Sequence, residues 1–153
     1  MALTQKALPV EHQYEMDEFN CLQLNISAPK RPAPSKDYPV AVWIHGGGNC
    51  VGSGAEPGYD MAAIAQHSIK QGQPTVFVTI NYRLGIFGFL ASGDLKKDNA
   101  AAGDEGVGNY ALRDQLLAFE WIRKHISAFG GDPAKVTAIG HSAGSSRSLL
   151  ELV

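Results

Sequence analysis

Three short apolar runs, separated by two stretches of helical periodicity, organise the chain. The runs are Val40–His45 (VAVWIH), Thr75–Asn81 (TVFVTIN) and Lys135–His141 (KVTAIGH). Val40–His45 is near-continuously apolar, and such runs belong to strands buried on both faces, as in parallel sheets. Thr75–Asn81 reads as a second buried strand and Lys135–His141 as a third strand. Between the first two, Tyr59–Gln71 places Met61, Ala62, Ile64, Ala65 and Ile69 at helical spacing, and Gly72 stops it. Between the second and third, Asn109–Ile126 carries Leu112, Leu116, Phe119, Ile122 and Ile126 in an i, i+3, i+4 stripe. Earlier, Cys21–Ser27 alternates, with Leu22, Leu24 and Ile26 on one face, which predicts a half-buried strand. After the third run, Ser142–Val153 begins a helix with Leu149, Leu150 and Val153 as its apolar positions. Strand and helix alternate, so the expected class is α/β, a mostly parallel sheet with crossover helices.

The connections are read from turn residues and polarity. The first 20 residues have no period and predict an irregular lead-in. Ala28–Pro39 holds four prolines and reads as a surface loop. Asn49–Gly58 is a glycine-rich loop, and Leu84–Leu90, interrupted by Gly85 and Gly88, suits a bent, buried loop. Ala91–Gly108 is polar and predicts a mobile segment, and Gly130-Gly131-Asp132-Pro133 supplies turn chemistry before the last strand.

Composition narrows the function classes. The 153 residues fit one domain, and 44% hydrophobic with 18% charged is ordinary for a globular chain. A net charge of −2 with no basic run predicts neither nucleic-acid binding nor attraction to an anionic membrane. No apolar stretch approaches the roughly 18 residues of a membrane span. The start, MALTQKALPVEHQYEMDEF, lacks the apolar core of an export signal, which makes the cytoplasm the default expectation. Cys21 and Cys50 are too few for a disulfide framework. Asn25-Ile26-Ser27 matches a glycosylation sequon, but its alternating apolar setting counts against use.

The candidate chemistry sits at two strand ends. Gly140-His141-Ser142-Ala143-Gly144 is G-x-S-x-G, placed where a predicted strand meets a predicted helix, the setting of a nucleophile elbow. The sharp turn strains the serine backbone and leaves no room for side chains two residues to either side. On its own the pentapeptide is equally readable as a helix cap. It is not on its own, because His45-Gly46-Gly47-Gly48 follows the first buried run. Such a loop brings bare backbone N–H groups close to a substrate carbonyl oxygen and forms half of an oxyanion hole. A phosphate-binding reading fails, since neither G-x-G-x-x-G nor a Lys-Ser/Thr follows the glycines. The pattern calls for no metal and no cofactor.

Four more stretches carry a resemblance. Glu18–Asn25 resembles the E-D-C-L-x-L-N strand of type-B carboxylesterases, the family of cholinesterases and fungal lipases. Asn81–Gly85 with Phe87–Leu90 resembles its N-Y-R-x-G-x-x-G-F-L segment, and Gly108–Gln115 its G-N-x-G-L-x-D-Q. Phe129–Pro133 followed by Val136-Thr137 resembles F-G-G-D-P-x-x-V-T. With the glycine loop and the serine pentapeptide, six motifs stand in the family's order over about residues 18–146. The resemblance implies an α/β-hydrolase fold and hydrolysis of small-molecule carboxylic esters through an acyl-enzyme. Carried over position by position, Ser142 is the nucleophile. Gly47, Gly48 and Ala143 supply the oxyanion-hole N–H groups, and Arg83 and Asp114 form a structural salt bridge.

The chain departs from the family pattern in four ways. His141 stands where the family most often has Glu, and is expected to support the site rather than act as its base. Phe19-Asn20 partly replaces a Glu-Asp pair, leaving Glu18 displaced by one position. Cys21 matches a family cysteine whose partner lies upstream, in a region this chain lacks. Family members are several hundred residues long and their triad runs Ser, acid, His, whereas only Glu151 and no histidine follow Ser142 here. His12, His45, His67 and His125 precede it. The expectation is therefore a single partial domain over 1–153, lacking the C-terminal half and weakly active or inactive alone. The rival reading is a non-catalytic, esterase-like interaction module. The hormone-sensitive-lipase kind of hydrolase shares the two glycine motifs but not the N-Y-R, F-G-G-D-P and C-L-x-L-N segments. In the family's sheet the Lys135–His141 strand is central. With one side uncovered it becomes an open apolar edge, which predicts self-association.

Overall fold

A computed structural model describes residues 17, 19–30, 37–104 and 106–145. Most of the expected irregular lead-in, much of the proline-rich loop, and the elbow helix beyond Ser145 lie outside these residues. Four strands form one sheet: β1 (Leu24–Ser27), β2 (Tyr38–Ile44), β3 (Val76–Ile80) and β4 (Gly131–Gly140). The spatial order is β1-β3-β2-β4. β2 runs parallel to both β3 and β4, and β1 is antiparallel to β3. Register places Val42 between Val78 on one side and Ala138 on the other.

That register gathers every second residue onto one face. Val40, Val42, Ile44, Val76, Val78 and Ile80 form a core with Ala111, Ile122 and Ile126. The last three come from helix α4 (Tyr110–His125) and the 3₁₀ turn that follows it. Helix α1 (Met61–Lys70) packs on β3 and β1 and buries Met61 and Ala65. Its cap is Asp60, whose carboxylate accepts the Ala62 N–H at 2.9 Å and satisfies one of the donors left open at a helix start. Ile64 and Ile69, read as part of the same apolar face, are exposed.

Several expectations need correction. Leu84–Leu90 is not a buried loop. It contains helix α2 (Gly85–Phe89), with Ile86, Phe87 and Leu90 exposed and only Gly88 buried. A Cβ on Gly88 would collide with the Arg83 carbonyl and lie 3.1 Å from the Ala111 Cβ, so the glycine lets α2 rest directly on α4. The polar stretch 91–108 holds helix α3 (Gly93–Ala101). Ser92 caps it by accepting the Leu95 N–H at 3.1 Å, and Asn99 ties it down by donating to the Tyr110 hydroxyl at 2.9 Å and to the Gly106 carbonyl. A helix that buries no residue fully has no apolar stripe, so periodicity does not reveal it. The proposed turn residues Gly131-Asp132-Pro133 lie inside β4, and Gly130 at φ 86° makes the turn instead. The first strand begins only at Leu24, leaving Leu22 outside it and exposed. Tyr38 and Pro39, assigned to a loop, start β2.

Candidate active site

The site lies where the C-terminal ends of β2 and β4 stand side by side, with Ile44 paired to Gly140. The chain leaves β4 through His141, whose N–H still donates to the Ile44 carbonyl at 3.3 Å. It then turns at Ser142 with φ 53°. A left-handed backbone is costly for a serine, roughly 1–3 kcal/mol, and persists only where its surroundings enforce it. The surroundings here are steric. A Cβ on Gly140 would run into the Gly144 backbone, and one on Gly144 into the Ile44 and His45 carbonyls. Both glycines of the pentapeptide are therefore required by contact between main chains. Ser142–Gly144 form a 3₁₀ turn, held by the Gly144 N–H donating to the His141 carbonyl at 2.9 Å. Ser142 is solvent-exposed.

Opposite the turn runs the glycine loop. A Cβ on Gly46 would lie 3.1 Å from the Ser142 Cβ and 2.7 Å from the His141 carbonyl, so the two segments touch. Gly47 (φ 116°) and Gly48 (φ 61°) take left-handed conformations. The Gly47 carbonyl accepts from the Cys50 and Val51 N–H groups, each at 3.1 Å. Among the described residues, neither the Gly47 nor the Gly48 N–H meets an acceptor. Backbone donors are seldom left unpaired except where water or a ligand serves them. Ala143 follows Ser142 directly and already takes part in a further contact of its own.

The loop is anchored by groups that motif reading passed over. Asn81 accepts the Gly54 N–H at 2.7 Å and the Ser53 hydroxyl at 3.3 Å. The Gly85 N–H donates to the Asn49 carbonyl at 2.6 Å, which joins the loop to α2. His45 is buried, with its ring stacked on Tyr82 at 4.4 Å and its carbonyl accepting the Tyr82 hydroxyl at 2.6 Å. Burial pushes the His45 pKa below the ordinary histidine value, because an imidazolium there would lose its hydration. The signal for Asn81 and Tyr82 was present in the N-Y-R segment, but a motif does not state which backbone groups its side chains will meet.

The remaining expected residues fall into place at the flanks. Arg83 and Asp114 form a bidentate pair, Nη2 to Oδ1 at 2.6 Å and Nε to Oδ2 at 2.8 Å. The same carboxylate accepts the Arg83 backbone N–H at 2.9 Å. The Arg83 guanidinium also lies over the Tyr110 ring, 5.2 Å from its centre. This pair clamps the segment after β3 onto α4 and is remote from Ser142 in the chain's chemistry. His67 and His125 are exposed on α1 and α4, and His125 rests against Trp121. No described histidine is hydrogen-bonded to Ser142. Asn25 of the sequon sits in β1 and donates to the Thr79 hydroxyl at 3.3 Å. Cys21 and Cys50 are both exposed. An apolar groove of about 420 Å³ runs beside the glycine loop, lined by Asn49, Cys50, Gly85, Ile86, Phe89 and Leu90. Among the described residues, no three metal-binding side chains gather, and no helix is long and apolar enough to cross a membrane.

Comparison with known proteins adds a second line. Residues 2–151 match the model of the carboxylesterase family. Lipase 1 of Yarrowia lipolytica is 42% identical over 147 residues, covering 92% of this chain and 28% of the lipase. The inactive carboxylesterase-like protein VdtD of Byssochlamys spectabilis is 37% identical over 134 residues, covering 88% of this chain and 22% of its own. Among solved structures, a Geobacillus stearothermophilus carboxylesterase superposes with a TM-score of 0.69 at 43% identity, over 84% of this chain and 25% of that one. The chain thus spans about a quarter of the length of the relatives it matches.

Proposed function

The chain belongs to the carboxylesterase family, and on that premise we propose that it forms the nucleophile-bearing part of a carboxylic ester hydrolase, a single partial α/β-hydrolase domain. Ser142 attacks the carbonyl carbon of a small-molecule ester, and its Oγ becomes the ester oxygen of an acyl-enzyme. The C–O bond to the alcohol breaks, and the alcohol leaves with the serine proton. Water then cleaves the acyl-enzyme to the free acid and restores the hydroxyl. The Gly47, Gly48 and Ala143 N–H groups hold the oxyanion that develops. One observation carries this reading: an exposed serine is held at φ 53° against a loop of glycines whose N–H groups lack acceptors among the described residues. A serine needs an adjacent base to become a strong nucleophile, and no described histidine is hydrogen-bonded to Ser142. An oxyanion hole and binding alone sustain roughly 10³–10⁴-fold catalysis over water when a triad is broken. The expected outcome is therefore slow hydrolysis of p-nitrophenyl acetate and slow fluorophosphonate labelling, both lost in Ser142→Ala. Labelling that persists in that variant, or falls on another residue, refutes the assignment.

A second reading is a catalytically silent, esterase-like module, favoured by the likeness to VdtD. Complete absence of labelling in a chain that folds supports it. We also propose self-association through β4. Its outer edge faces no described strand, and Ile139 on it is 41% exposed. An unpaired edge invites pairing with another copy. Sedimentation that stays monomeric at high concentration excludes this.

A further inference from the structure

We propose that Tyr82, acting through His45, is the positioning residue that sets the spacing between Ser142 and the amides of Gly47 and Gly48. The proposal rests on the esterase reading of those three groups, but its geometry stands apart from it.

Residue 45 touches both halves of the site, beside the direct contacts of Gly46 with Ser142 and of Ile44 with His141. The His45 carbonyl accepts the Tyr82 hydroxyl at 2.6 Å. A Cβ on Gly144 would lie 2.8 Å from that same carbonyl oxygen and closer still to the Ile44 carbonyl, so the serine turn leans on two carbonyls, one of which Tyr82 holds. The His45 ring serves the other half. Its Nδ1 is 2.8 Å from the Gly46 carbonyl, which can only accept, so Nδ1 carries the proton. The returning end of the loop, Gly52, has no room for a Cβ against that ring, which would sit 2.6 Å from Nδ1. The ring is itself stacked on Tyr82, with an interplanar angle of 16°. One side chain, 4% exposed, thus fixes both the carbonyl beneath the serine turn and the ring beneath the glycine loop. The loop has no side chains of its own to do this at residues 46–48. Oxyanion donors help only when held in place before the charge develops, which makes such a fixed junction functional as well as structural.

Tyr82→Phe keeps the stacked ring and removes the hydroxyl that holds the His45 carbonyl. Hydrogen exchange read amide by amide is the first measurement. The expected result is faster exchange at residues 46–48 and 142–144 together, with β3 (Val76–Ile80) unchanged. The second is fluorophosphonate saturation kinetics at Ser142. The maximal labelling rate is expected to fall about 3–10-fold, the worth of one hydrogen bond, with the half-saturating concentration within about twofold, because loosened donors act on the transition state and not on binding. Exchange that rises across the whole sheet, in one half only, or nowhere overturns the proposal. If the wild-type chain shows no labelling, the esterase reading fails, and the exchange pattern still decides the positioning role. Should Tyr82→Phe not fold, the wild-type protein supplies the test: amides 46–48 and 142–144 must share one opening free energy and one urea dependence, and separate values refute a common junction.

Discussion

The two sides of β2 meet different neighbours, and the contrast explains much of the molecule. On one side β3 is followed by β1, and helix α1 packs on both, whereas α4 reaches β4. On the other side β4 has no described strand beyond it. Val42 contacts Val78 and Ala138 at the same register, yet Val78 is fully buried and Ala138 only half so. β3 is apolar at four of its five positions and β4 at four of its ten, and β3 alone has a further strand alongside, so composition and neighbours both set the difference. Position along the strands matters separately. The site gathers at the C-terminal ends of β2 and β4, where the exposed flank and the buried flank meet. Ser142 is presented by the flank with the open edge, while the loop opposite is fixed by the packed one through Tyr82 and Asn81.

This contrast can be broken or sharpened by substitution. The largest effect on stability is expected on the packed side, at Asp114→Ala. Removing one partner of a fully buried pair costs about 3–5 kcal/mol. Here the Asp114 side chain is 0% exposed but Arg83 is 37% exposed, so water screens part of the pair. A loss of about 2–3 kcal/mol in urea unfolding is expected. A loss near zero would mean the clamp between β3 and α4 contributes little. Next comes Gly140→Ala, at the junction of the two flanks, where the new methyl meets the Gly144 backbone and neither can move aside. Overpacking of this kind costs about 1–3 kcal/mol. Labelling of Ser142 should suffer with it, and unchanged labelling would show that the turn tolerates reshaping.

A smaller effect follows from pH. Burial holds His45 below its ordinary pKa of 6.5. On acidification the unfolded chain takes up a proton near 6.5, whereas the folded protein resists until a lower pH. Protonation therefore favours the unfolded state. The stability due to neutral His45 is complete above pH 6.5 and drains away as pH falls through the folded pKa. Urea midpoints at about pH 8 and about pH 5.5 should fall with acid in the wild type and fall less in His45→Gln. Equal losses in both would place the acid sensitivity elsewhere. The smallest effect on stability belongs to the open flank. Ile139→Lys should change unfolding by no more than about 0.5 kcal/mol, yet weaken association of the chain in sedimentation. A large destabilisation would show that the edge is already covered.

The reading from sequence succeeded where a feature depends on near neighbours in the chain. The apolar runs at 40–45 and 75–81 are strands, and the stripe from Leu112 to Ile126 marks a helix, because those periodicities are local. It failed for α2 and α3. A five-residue helix, or one that buries no residue fully, leaves no periodic trace. Pairing Arg83 with Asp114 followed from family resemblance and is seen in the geometry.

The sequence by itself determined the order of the strands and of helices α1 and α4, the class of fold, and which serine stands between which glycines. Those follow from periodicity and from the sterics of adjacent residues. Only the tertiary structure decided that Gly144 leans on the His45 carbonyl, that Tyr82 holds that carbonyl, and that the Gly47 and Gly48 N–H groups meet no described acceptor. The reason is physical: these contacts join segments 37 to about 100 residues apart, and their geometry is fixed by strand register and packing, which no local pattern encodes.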